Sequence, residues 1–174
     1  MLFGFTAGLD ADLNEERFIM DEENFIESKR YDAAFMHIIN MIENSSERGQ
    51  NIYVFYKNDK DIAECNMANA LKSCYSFSFE TSEIPNARGN RVCFRKIGQG
   101  DVVKYGGAEI SEMYFIGVHD FEESEFRYLI TRIRTHHGEK KNVFSRAKGI
   151  APIGKMPGWI REYERELPSE PDCV

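Results

Sequence analysis

The run Asn51–Lys57 reads Asn-Ile-Tyr-Val-Phe-Tyr-Lys, with a bulky side chain at every interior position. Successive side chains of a β-strand point to opposite faces, so this run places apolar groups on both. Only a central strand, covered above and below, buries them all. The chain therefore has to supply helices or loops to cover the sheet around this strand. Its 174 residues, 42% hydrophobic, are enough for that. A chain of this size buries roughly 70% of its unfolded surface without a disulfide or metal staple.

Periodicity supplies the covering elements. Tyr31, Ala34, Phe35, Ile38 and Ile42 make one apolar stripe at helical spacing, which predicts a helix over about 31–47 that Gly49 terminates. Asn58 and Asp59 offer a helix start, and Ala63, Met67, Ala70, Leu71 and Cys74 continue the helical spacing. Asp120-Phe-Glu-Glu123 resembles a capping box ahead of a helix that carries Phe126, Leu129, Ile130 and Ile133 on one face.

Between these helices the pattern reads as strands. Tyr75, Phe77 and Phe79 alternate with polar residues, 85–90 is turn chemistry, and 91–97, 101–105 and 108–119 read as further strands. Gly106-Gly107 suits a tight hairpin. Together these predict an α+β fold: a mixed, largely antiparallel sheet with a four-strand meander over about 75–119, and about three packed helices. A Gly/Pro/Lys-rich loop over 138–158 and a short helix near 159–166 follow. The domain is expected to span 1–166, with a polar tail over 167–174. Leu2–Thr6 is expected to be a short strand, and the acidic stretch 8–24 a loop or short helix. The first ten residues lack a basic stretch and a long apolar core, and the longest apolar runs fall short of a membrane span. No signal peptide and no membrane are expected, and cytoplasmic location is.

The charge is unevenly spread. The formal net charge is −7, made of −6 over 1–60, −5 over 61–126, +7 over 127–165 and −3 over 166–174. Such polarity points to a surface for a charged partner. The residues expected to carry it are Arg127, Arg134, Lys140, Lys141, Arg146, Lys148, Lys155 and Trp159: the cations for a phosphate backbone or an acidic protein, the indole for stacking on unpaired bases. The expected function is thus a non-catalytic accessory or binding protein that engages nucleic acid or an acidic protein through 127–165. An alternative is an inhibitor or assembly subunit, of the sort phages and viruses encode, whose acidic first half binds a basic protein.

Catalytic signatures are sparse, and no catalytic residue and no cofactor are assigned. Asp10 and Asp12 form an Asp-x-Asp after an apolar run, the pattern a divalent metal needs in phosphoryl-transfer or nuclease chemistry; this is a third reading. Gly149 and Gly154-Lys155 satisfy GxxxxGK, but Met156 stands where a P-loop needs Ser or Thr and Pro157 obstructs the helix that should follow. There is no GxSxG, and His119-Asp120, adjacent in sequence, are ill placed as base and orienting acid. Cys65, Cys74, Cys93 and Cys173 show no CxxC spacing and are expected to be reduced thiols.

Overall fold

The two-faced run 51–56 does lie in mid-sheet, but the sheet around it is parallel. The structure is a computed structural model, and the residues it describes are 23–44, 49–63, 65, 83–85, 91–133 and 146–166. In chain order these form β1 (Phe25–Glu27), α1 (Asp32–Asn44), β2 (Asn51–Tyr56), α2 (Asp59–Ala63), β3 (Glu83–Pro85) and β4 (Arg91–Lys96). A 3-10 helix (Asp101–Tyr105), β5 (Glu112–Ile116), a 3-10 turn (Val118–Asp120), α3 (Glu123–Ile130), β6 (Ala147–Ala151) and α4 (Gly158–Glu166) follow.

The six strands pair in the order β1-β6-β5-β2-β4-β3. Every pairing is parallel except β3 with β4. This overturns the α+β class and the largely antiparallel meander over about 75–119: the fold is α/β, with five parallel strands and one short antiparallel edge. Three local features account for the difference. Asp101–Tyr105 coils into a 3-10 helix, and Gly106 closes it by donating its N–H to the Val103 carbonyl (3.1 Å), so no hairpin forms at Gly106-Gly107. The final strand is short, Glu112–Ile116, because Gly117 turns the chain at φ +70°. And β6, the parallel neighbour of both β1 and β5, lies inside the stretch expected to be a loop. The strand expected at 75–79 and the helix expected through 67–74 lie outside the described residues, as does the run Leu2–Thr6.

Strand alternation splits the core into two layers. Ile52, Val54, Tyr56, Val92, Phe94, Tyr114, Ile116 and Ile150 face α1, which contributes Ala34, Phe35 and Ile38. Phe55, Met113, Phe115, Ala147 and Ala151 face the opposite way, toward Phe126, Leu129 and Ile130 of α3 and Ile160 and Tyr163 of α4. β2 is therefore covered on both faces, as its sequence requires. Within the first layer, His37 Nδ1 and the Tyr114 hydroxyl are 2.7 Å apart, so two polar groups buried there satisfy each other. Cys65 and Cys93 are buried and in no disulfide among the described residues.

β6 contains a glycine for a packing reason. A methyl group at Gly149 would lie 2.8 Å from Cδ1 and 2.9 Å from Cε1 of the Phe25 ring, which fills the space a side chain would take. Gly149→Ala is expected to destabilise the fold by about 1–3 kcal/mol through this overpacking. Urea unfolding checks it; a midpoint equal to that of the unsubstituted chain would show that the ring moves aside freely.

Candidate functional site

In an open parallel sheet, ligands settle beyond the carboxyl ends of the strands, where the chain order reverses and neighbouring connections part. Here the reversal is at β2. The chain leaves β2 through α2 and forms β3 and then β4 on one side, β4 beside β2, before it passes through the 3-10 helix to β5 on the other side. Tyr56 and Ile116 are paired in register, so Lys57 and Gly117 are the first residues beyond the two carboxyl ends.

Three oxygens gather there. A methyl group at Gly117 would lie 2.9 Å from Asp61 Oδ2, 3.3 Å from Asp120 Oδ2 and 3.5 Å from the Tyr31 hydroxyl. Each arrives from a different segment: Tyr31 from the turn into α1, Asp61 from α2 and Asp120 from the 3-10 turn after β5. Gly117 is needed twice over, for its left-handed backbone and for the room its missing side chain leaves.

The neighbours hold this arrangement. Asn58 Nδ2 donates to Asp120 Oδ2 (2.6 Å), tying the loop after β2 to the turn after β5. His119 Nε2 stands 3.4 Å from Asp120 Oδ1, closer than adjacency in sequence suggested. The helix cap falls two residues later than expected: Glu122 caps α3, and its own N–H donates to Glu125 Oε2 (2.9 Å). That shift leaves Asp120 to face the crevice. Glu125 also pairs with Lys57 at 2.6 Å, fastening the start of α3 to the end of β2. Two cavities flank the cluster, each lined by Lys60 and Asp61. One, of about 500 Å³, reaches Lys29, Arg30 and Tyr31; the other, of about 520 Å³, reaches Lys57, Asn58 and Lys96.

Burial, reinforced by the charges of Asp61 and Asp120, pushes the Tyr31 hydroxyl well above the ordinary tyrosine range. It therefore keeps its proton and can donate a hydrogen bond. Burial raises Tyr163 in the same way, with Arg127 opposing it. The folded chain thus holds protons that the unfolded chain releases once the pH passes about 10. These groups leave stability unchanged below that pH and lower it above. In an alkaline titration, the phenolate absorbance of Tyr31 and Tyr163 is expected to appear together with loss of helical circular dichroism. Complete ionisation of every tyrosine near pH 10 in a folded chain would contradict this.

The residues singled out in the sequence lie elsewhere. Arg127 on α3 is bonded to Glu123 (2.8 Å) and lies 3.5 Å from Glu166. Arg146 precedes β6, and Lys148, on β6, donates to Asn24 Oδ1 at 3.2 Å. Lys155 is exposed in the loop after β6. Trp159, on α4, packs on Phe126 with ring centroids 5.1 Å apart. Gly149 of the GxxxxGK match is inside a strand. Arg134, Lys140, Lys141, Asp10 and Asp12 lie outside the described residues. Tyr31, Asn58, Asp61, Gly117 and Asp120 were not singled out for a site. The available signal was an Asn-Asp-Lys-Asp run directly after a two-faced strand, and a Gly-Val-His-Asp run after another.

No family model matches the chain, and no curated protein matches it. Among the described residues no helix is long and apolar enough to cross a membrane, and no group of three or more His, Cys, Asp or Glu is placed to hold a metal ion.

Proposed function

We propose that the chain binds a small hydroxyl-rich ligand of the ribose type in the crevice between the ends of β2 and β5. One observation carries this reading: Asp61, Asp120 and the protonated Tyr31 hydroxyl converge above Gly117 at the point where the strand order reverses. Carboxylates accept hydrogen bonds from vicinal hydroxyls, and an acidic side chain does this for the ribose of nucleotides bound at such reversals. The Tyr31 hydroxyl adds a donor. The donor set suits hydroxyls better than a metal ion, because the Asn58 amide already donates to Asp120 Oδ2. Engagement of nucleic acid or an acidic protein through 127–165 has less in its favour, since Arg127 and Arg161 are paired with Glu123 and Glu164.

Calorimetric titration with the four ribonucleosides tests the reading. At least one is expected to bind, and Asp61→Asn or Asp120→Asn to weaken it by roughly 10-fold or more, since a buried hydrogen bond to a charged group contributes about 1.5–3 kcal/mol. Binding of none, or equal binding by both variants, would overturn it.

A further inference from the structure

We propose that the ligand also carries a phosphate, seated by Lys29, Arg30 and Lys60 in the cavity beside the carboxylate pair, so that the preferred ligand is a nucleoside monophosphate. This rests on the ribose-type reading above. The cavity of about 500 Å³ is of the size that encloses a small molecule. Three cations line it, against two acids, Asp32 and Asp61. Asp32 is only 5% exposed and accepts a hydrogen bond from Cys65 Sγ (3.2 Å), so its charge is turned inward. Asp61 forms the wall toward Asp120. The crevice is thus acidic at one end and cationic at the other, the pattern that suits a molecule with hydroxyls on one side and a phosphate on the other.

The second cavity does not offer the same. Lys57 is paired with Glu125 at 2.6 Å and Lys96 with Asp59 at 2.5 Å, so two of its three cations are engaged and the third, Lys60, is shared with the first cavity. Among the described residues Lys29 and Lys60 form no ion pair, and both are exposed residues that line the cavity. Arg30 adds a planar fork of donors suited to phosphate oxygens.

The experiment titrates each ribonucleoside and its 5′-monophosphate into the protein at about 0.15 M salt, where distant charges are screened. The monophosphate is expected to bind at least about 10-fold tighter than its nucleoside. Arg30→Gln and Lys60→Gln should remove that advantage and leave nucleoside affinity unchanged, with thermal unfolding confirming that each variant is folded. Lys96→Gln should leave both affinities unchanged. Nucleoside binding with no gain from the phosphate overturns this proposal and spares the ribose reading. A gain lost equally in Lys96→Gln overturns the placement in this cavity. Absence of binding by nucleosides and monophosphates alike overturns both.

Discussion

Phe126→Ala is expected to destabilise the protein by about 3–5 kcal/mol, a large part of the about 5–15 kcal/mol that holds a domain folded. Phe126 is fully buried, and its ring joins four elements. It lies 5.7 Å from the ring of Phe25 on β1, 4.9 Å from Phe115 on β5, 5.1 Å from Trp159 and 5.0 Å from Tyr163 on α4, centroid to centroid. Removing it leaves a cavity whose walls are rigid rings fixed on two strands and one helix, so they close in poorly. The lost area and the residual void therefore add. In urea the midpoint should fall with the slope unchanged. A loss below about 1 kcal/mol would mean that α3 and α4 do not share a core with the sheet in the way described.

Gly117→Ala is expected to act on the crevice as well as on the fold. The left-handed backbone alone costs a non-glycine residue about 1–2 kcal/mol. The added methyl would also meet Asp61 Oδ2 at 2.9 Å and Asp120 Oδ2 at 3.3 Å, forcing the two carboxylates apart. Ligand affinity should therefore fall much further than that of an equally destabilised variant with an intact crevice, such as Gly149→Ala. Comparing the two at a temperature where both are folded separates the effects. Equal affinity in the two variants would show that the oxygens above Gly117 take no part in binding.

The sequence made some of this legible. The two-faced run 51–56 gave the central strand and its double covering, and the stripe from Tyr31 to Ile42 gave α1, because both carry their period in large apolar residues. β6 was hidden because Ala-Lys-Gly-Ile-Ala is short and its glycine, which elsewhere marks a turn, is there to admit the Phe25 ring. Val102, Val103 and Tyr105 have strand propensity, yet they lie in a 3-10 helix whose entry, Gly100 at φ +77°, depends on the local turn. Without β6, and with a strand placed at 101–105, the parallel order was not visible. Without the parallel order, nothing distinguished Asp61 and Asp120 from the other acids of an acidic chain. The candidate crevice is hidden in the sequence for a topological reason: its residues are 31, 58, 61, 117 and 120, brought together only by the reversal of strand order at β2. The charge asymmetry was plain in the sequence, but where described it is spread over α3, β6 and α4, and several of its cations have internal partners.

The most direct test of the crevice is a backbone amide NMR titration of the isotopically labelled protein with ribonucleosides and their 5′-monophosphates. The account predicts that shift changes concentrate at residues 29–32, 57–61 and 117–120. Changes centred on residues 127–165, or none at saturating concentrations, would contradict it.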